Sequence, residues 1–413
     1  MSARPKIHFI TNGIFSTGVA GGDMVFFNLA RGAAQNGYEI NYFGGHAFQQ
    51  VVTDHNLPGV VTLTDDAALP KLQPGVSGQV ALFRDFYGRY RRTLTLLEKI
   101  APEDFVCAPS DYWFDVIPVV RSRSRRKLMI LNMEAPTLGQ IIARSRPDID
   151  AMRLGSLHHW TSQKWAMSRF AHCPNRHVLY VHSLMNPMLD QLGIDADHRT
   201  LISTGINSSI ANSVPEQNKI YDVVWIGRVH RQKGIEDLLA TLQFLNQRLK
   251  NFRALIVGNV REELQVEIKK RGLESCVEFS GFIKEASEKF RLLKSSRVFL
   301  MPSHYESWGI VLAEALVSGV PVVAYDLPPY RPIFGDLVRY APCFDLEAFQ
   351  KVAEEQVLQM RAGENYLENM SLTQFERDNS FKSSQEKFLS ALEKVRTADE
   401  GGNNRITTAA ASK

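Results

Sequence analysis

Two glutamates separated by seven residues, Glu306 and Glu314, bracket Gly309 in the run Phe299-Leu-Met-Pro-Ser-His-Tyr-Glu306-Ser-Trp-Gly309-Ile-Val-Leu-Ala-Glu314. An apolar strand-like stretch leads into a polar loop, a glycine and then helical periodicity. A helix N-terminus presents free amides and the positive end of a dipole, so Gly309 lets an anion such as a phosphate approach the amides of Gly309 and Ile310. Glu306 then stands in the loop beside the ligand, and Glu314 faces a neutral hydroxylated group, for which a carboxylate is a good bidentate acceptor. A second cluster, Gly227-Arg228-Val-His-Arg-Gln-Lys233-Gly234, also follows a strand-like run. Arg228 and Lys233 are spaced for a turn to bring both onto one anion, where they would neutralise a departing diphosphate. A third, Thr11 to Asp23, is glycine-rich and includes Gly21 and Gly22. It suits close backbone approach, but its glycines do not follow the dinucleotide fingerprint and no Walker-type lysine accompanies them.

The elements that must hold these clusters alternate. Short β-branched runs near 6–10, 39–43, 104–108, 127–131, 177–181 and 200–203 are separated by amphipathic stretches, notably 23–36 and a long one within 148–170. This is the pattern of a parallel sheet with helices on both faces. The polar stretch 207–219 reads as a linker. Strand-like runs begin again near 222–226, 254–257, 277–280, 298–301 and 321–324. The expectation is an α/β chain of two doubly wound Rossmann-like domains. Residues 1–206 form the first, 219–369 the second, and 397–413 a disordered tail, small and polar in composition.

A length of 413 residues suits two hydrophobic cores. The composition, 44% hydrophobic and 22% charged, is that of a globular protein. No apolar run approaches the roughly 20 residues that span a bilayer, and the N-terminus shows no signal region, so a cytoplasmic location is expected. The four cysteines form no Cys-x-x-Cys pair and read as buried free thiols. The net charge of +4 is too mild to indicate nucleic acid. Arginines 84, 89, 91 and 92 and the run Arg121 to Lys127 give the first half a basic bias. A solvated face explains it, and the sharper reading is attraction to an anionic membrane surface. His158 and His159 lack a carboxylate at a recognisable spacing, so no metal site is expected from them. Asp148 and Asp150 read as helix-capping residues rather than a metal clip.

The three clusters together resemble the family-4 (group 1) retaining glycosyltransferases. The resemblance runs from Lys6 to about Asp336 and is strongest from Val223 onward, where Gly227-Arg228, Lys233-Gly234, Phe279-Ser-Gly281-Phe282 and the Glu-x7-Glu segment occur in the family's order. It implies the GT-B fold, two Rossmann-like domains facing across a cleft, with a last helix of about 370–396 returning to the first, acceptor-side domain. It also implies that Glu306 contacts donor-sugar hydroxyls, that Glu314 holds the ribose, and that Arg228 and Lys233 bind the diphosphate. Gly281, Phe282 and Ile283 would meet the nucleobase, and Gly21 and Gly22 would close over the donor. Many members carry a histidine after the strand that ends here in Leu131-Asn132-Met133-Glu134; this chain offers Asn132 and Glu134, which makes Glu134 the candidate acceptor-side base.

The function expected is transfer of a sugar from a nucleotide-diphosphate sugar to a hydroxyl of a saccharide or lipid-linked saccharide. Configuration is retained, and neither cofactor nor metal is required. Polysaccharide or glycoconjugate assembly is the implied setting. The alternatives are a non-catalytic nucleotide-sugar-binding subunit and a nucleotide-sugar epimerase or hydrolase on the same scaffold.

Overall fold

The computed structural model describes residues 5–14, 16–19, 21–66, 76–146, 149, 154–259 and 262–411. Asp148 and Asp150 lie outside them. The chain forms two compact units: unit 1 comprises Met1–Ile141, Asp150–Gly205 and Phe381–Lys413, and unit 2 comprises Ile142–Ile149 and Ile206–Ser380.

Unit 1 contains seven parallel strands, β1 (Ile7–Thr11), β2 (Ile40–Gly44), β3 (Val60–Leu63), β4 (Phe105–Ala108), β5 (Arg126–Leu131), β6 (Arg176–Tyr180) and β7 (Arg199–Leu201). Their order is β3-β2-β1-β4-β5-β6-β7. Unit 2 contains β8 (Tyr221–Ile226), β9 (Ala254–Val257), β10 (Val277–Gly281), β11 (Ser296–Met301), β12 (Val322–Tyr325) and β13 (Arg339–Ala341), in the order β10-β9-β8-β11-β12-β13. Both orders reverse direction once, between β1 and β4 and between β8 and β11. In doubly wound sheets the ligand crevice opens at that reversal, beyond the carboxyl ends of the strands. The central strands β1, β4 and β5 are buried at every residue, as parallel strands covered by helices on both faces must be.

Two strands escape the sequence pattern. β3 and β13 are short edge strands, and Val60 is 69% exposed, so neither carries the apolar run that marks a central strand. The stretch 207–219 is not a plain linker either: Asn207 accepts from the Ile210 amide and caps a helix, Ser208–Ser213.

The last helix, Phe381–Ala411, belongs to unit 1 and packs on the helix Gly21–Gln35. A Cβ on Gly32 would fall 2.3 Å from Gln385 Cγ, so the helices can approach closely only because that side chain is missing. Gln385 then donates to the Asn28 carbonyl (3.1 Å) and Oδ1 (2.9 Å). Phe388 and Leu392 are fully buried beneath, each contributing roughly 1.5–3 kcal/mol.

The helix does not stop near 396. Asp399 is buried and accepts from Arg125 Nε (2.8 Å) and Arg126 Nε (3.0 Å), and helical backbone continues to Ala411. This replaces the disordered tail expected from composition, because a local scan cannot see two arginines some 270 residues away. It also reassigns much of the basic run. Lys127 donates to the carbonyls of Val119 (2.8 Å), Val120 (3.1 Å) and Ser122 (2.9 Å), closing the C-terminus of the helix Trp113–Arg121. Burial holds its ammonium pKa below the ordinary lysine value. Arg89 is buried between Asp65 (3.0 Å) and Asp85 (2.7 Å). Arg84, Arg91, Arg121 and Arg123 remain on the surface. Cys107, Cys173 and Cys276 are buried, whereas Cys343 is exposed. Among the described residues no helix is long and apolar enough to cross a membrane.

Candidate functional site

In unit 2 the loops leaving β8 and β11, the strands at the reversal, are stitched together. His230 Nδ1 accepts from the Gln232 amide (3.2 Å) and starts a single turn, Arg231–Lys233. The turn closes at Gly234, whose φ is +64° and where a Cβ would fall 1.7 Å from the Pro302 carbonyl oxygen. Only glycine allows the turn to seat there. Gln232 donates to the Tyr305 carbonyl (3.0 Å), and the His304 amide donates to the Gln232 carbonyl (2.9 Å).

This stitching delivers Lys233 Nζ to Glu306 Oε1 at 2.5 Å, with Ser303 Oγ donating to the same oxygen at 2.9 Å. Glu306 is 8% exposed. A lysine held this close to a carboxylate is positioned for a second anion without being consumed by the first, because an ammonium has three donors. Arg228 is exposed at the same strand end and makes no ion pair among the described residues.

Gly309, at φ +92°, opens the helix Ile310–Val317, with Ile310 as its first residue. A Cβ there would press to 3.1 Å on the ring of Tyr330. Tyr330 is fully buried, its hydroxyl has no hydrogen-bond partner among the described residues, and burial pushes that hydroxyl pKa well up. Glu314 Oε1 receives Lys289 Nζ at 2.5 Å, while its Oε2 is buried without a partner among the described residues. That oxygen suits a hydroxyl donor, since buried polar atoms otherwise lose the free energy of a hydrogen bond. Lys289 lies in the helix Ala286–Lys294, and nothing in the spacing of its neighbours marks it. β10 ends at Gly281 with φ +72°, followed by Phe282 at 70% exposure and half-buried Ile283. A ring this exposed on a single-domain surface is free to stack on a planar group.

In unit 1 the loops after β1, β4 and β5 meet at the reversal. Gly21 and Gly22 begin the helix Gly21–Gln35, and a Cβ on Gly22 would lie 3.4 Å from the Asn132 side chain. Asn132 donates to the Pro109 carbonyl (3.2 Å). The Gly13 amide donates to Asp115 Oδ1 (3.1 Å), and Ser110 Oγ donates to Asp115 Oδ2 (2.5 Å). Asp115 is buried, and desolvation pushes its pKa up to about 7 in spite of those donors.

Glu134 is half-buried after β5, and Gln163 clamps the chain on both sides of it. Gln163 donates to the Met133 carbonyl (3.1 Å) and accepts from the Ala135 amide (2.9 Å). Gln163 also donates to Asp111, which accepts from His159 Nε2 at 2.9 Å. The carboxylate that His159 lacks in sequence is therefore supplied by Asp111, 48 residues away. Among the described residues no three or more His, Cys, Asp or Glu side chains gather as a metal site.

Residues 208–364 match the family model of the group 1 glycosyl transferases. The phosphatidyl-myo-inositol mannosyltransferase of Mycobacterium leprae is 32% identical over 154 residues, 36% of this chain and 40% of that protein. The O-antigen chain mannosyltransferase B of Escherichia coli is 28% identical over 153 residues, 35% of this chain and 40% of that protein. The match thus spans about two fifths of the length of these relatives. Among solved structures, Anabaena Alr3699/HepE in complex with UDP aligns with a TM-score of 0.67 at 16% identity, covering 94% of this chain and 99% of that one. The pneumococcal O-GlcNAc transferase GtfA in complex with UDP and GlcNAc aligns with a TM-score of 0.68 at 13% identity, covering 95% and 99%. The structural matches establish the two-unit Rossmann-like fold, and residues 208–364 carry the similarity to the group 1 glycosyl transferases.

Proposed function

We propose that this chain is a hexosyltransferase that moves a sugar from a nucleotide-diphosphate sugar to a hydroxyl of a saccharide or lipid-linked saccharide, with retention of configuration. The observation that carries this reading is the unit 2 corner, where Lys233 is locked against Glu306 beside Arg228, with Gly309, Ile310 and Glu314 on the following helix. Arg228, Lys233 and the amides of Gly309 and Ile310 supply the positive field for a diphosphate. The open oxygen of Glu314 suits a ribose hydroxyl, and exposed Phe282, between Gly281 and Ile283, suits a base. Glu306 contacts the donor sugar, and Gly21 and Gly22 in unit 1 allow close backbone approach. In the transfer, the bond from the anomeric carbon to the phosphate oxygen breaks and one to the acceptor oxygen forms on the same face. The acceptor's proton passes to the departing phosphate oxygen, so no protein nucleophile is needed.

The phosphatidyl-myo-inositol and O-antigen chain named for the relatives support a lipid-linked or saccharide acceptor and a role in glycoconjugate or polysaccharide assembly. A cytoplasmic location, with peripheral contact at the inner membrane face, draws on the exposed arginines 84, 91, 121 and 123. The field from Arg228 and Lys233 supports turnover without metal or cofactor, which activity surviving EDTA would check.

The deciding experiment is a thermal-shift panel of nucleotide diphosphates and their sugars on the parent, Arg228→Ala and Glu314→Ala. One nucleotide is expected to stabilise the parent by several degrees and both variants by less. No stabilisation of the parent by any of them would overturn the reading.

A further inference from the structure

The reversal crevice of unit 1 holds a polar assembly that the transfer chemistry above leaves unused. His159 projects from the helix Leu154–Ala171 with Nε2 on Asp111 Oδ2 at 2.9 Å, and their side chains are 14% and 5% exposed. The Tyr112 ring lies 5.0 Å from the imidazole. The same Asp111 takes Gln163, which clamps the backbone around Glu134. The dyad is therefore tied to the loops that leave β4 and β5.

Its chemistry is directional. In the neutral imidazole a carboxylate on Nε2 keeps the ring hydrogen on that nitrogen, which leaves the lone pair on Nδ1. Among the described residues Nδ1 makes no hydrogen bond, and the His159 side chain is 14% exposed. A group oriented by a buried carboxylate, braced by an amide and open at its other nitrogen is built to receive a hydroxyl hydrogen. Orientation set by neighbouring groups is what makes such recognition selective.

We propose that His159, held by Asp111, accepts a hydrogen bond from a hydroxyl of the saccharide acceptor in unit 1 and so selects and positions that acceptor. This rests on the transferase reading. His159 touches substrate, whereas Asp111 and Gln163 are positioning residues that act through it and through the loop 133–135.

Two substitutions separate the nitrogens. His159→Gln can still donate to Asp111 but offers nothing at the Nδ1 position; His159→Asn places an amide oxygen close to Nδ1 but gives up the Asp111 contact. The test is saturation-transfer NMR on the full chain with methyl α-mannopyranoside, methyl α-glucopyranoside and methyl N-acetyl-α-glucosaminide as probes. UDP, GDP and ADP calorimetry on the same samples reports on unit 2. At least one glycoside is expected to bind the parent saturably, with Kd roughly three- to ten-fold weaker in His159→Gln and largely restored in His159→Asn. Nucleotide Kd is expected to be the same in all three. Absence of saturable glycoside binding to the parent, or the same glycoside Kd in parent and His159→Gln, would overturn the proposal. So would equal weakening in both variants, which marks a structural role. Glycoside binding that depends on His159 in a chain that binds no nucleotide would sink the transferase reading and leave His159 as a hydroxyl-recognising residue.

Discussion

At the unit 2 reversal, cation is set against carboxylate: Lys233 on Glu306 and Lys289 on Glu314, both at 2.5 Å, with Arg228 exposed in the loop that leaves β8. At the unit 1 reversal, on the same strand order, Asp115 accepts from a hydroxyl and a backbone amide, and Asp111 from an imidazole and a side-chain amide. The two corners share a topology and differ in what they can bind. A field of ammonium and guanidinium groups suits a phosphate, while carboxylates ringed by hydroxyl, amide and imidazole groups, with no lysine or arginine among those donors, suit hydroxyls, where each partner is matched one to one. The fold supplies a crevice in both units, and the chemistry of the loops decides the ligand.

The largest effect that would break this comparison is expected from Glu306→Ala. It removes the partner of Lys233 and the carboxylate proposed for the donor sugar, and turnover should fall by about 10²–10³-fold. Glycoside binding in unit 1 should be unchanged. Measured kcat together with the glycoside Kd checks this; parallel loss of both would show that the two corners do not act separately.

The contrast also explains which corner was legible. Glu306, Gly309, Glu314, Arg228, Lys233 and Gly234 lie in two short segments, because strand, loop and helix follow one another in the chain and each loop brings its own charges. The unit 1 network draws its residues from several distant segments: Asp111 after β4, Asn132 after β5, His159 and Gln163 on a later helix. No local spacing records such a meeting. Alternation and buried runs revealed the central strands, while edge strands β3 and β13 lacked that signal. The end of the last helix failed for the same reason as the network. Asp399 reads as a polar tail residue until Arg125 and Arg126 are seen beside it.

The next effect in size follows from that contact. Asp399→Ala leaves Arg126, itself buried, without its nearest carboxylate, and losing one partner of a buried ion pair costs about 3 kcal/mol or more. A fall in the unfolding midpoint and earlier proteolysis within 397–411 are expected, with nucleotide affinity retained. If nucleotide affinity dropped along with stability, unit 2 would depend on the last helix, and the separation drawn above would have to be abandoned.

The smallest effect is a change of pH slope, and it tests whether Asp115 keeps its proton in the unit 1 corner. Asp115 is surrounded by the Gly13 amide and the Ser110 hydroxyl, and burial raises its pKa to about 7, against about 4 for a free carboxyl group. Between those values the folded chain keeps a proton that the unfolded chain releases. The stability that Asp115 contributes is therefore full below about pH 4 and is lost as pH rises through about 7. Asp115→Asn cannot ionise, so its melting temperature should lack that part of the decline, by about 2–4 °C for each kcal/mol removed in a unit of this size. Melting curves of parent and variant at pH 5 and pH 7.5 make the comparison. Equal slopes would mean that Asp115 is already ionised at pH 5 and that the corner holding Gly13 contains a charge, which would bring it closer in kind to the ion-paired corner of unit 2.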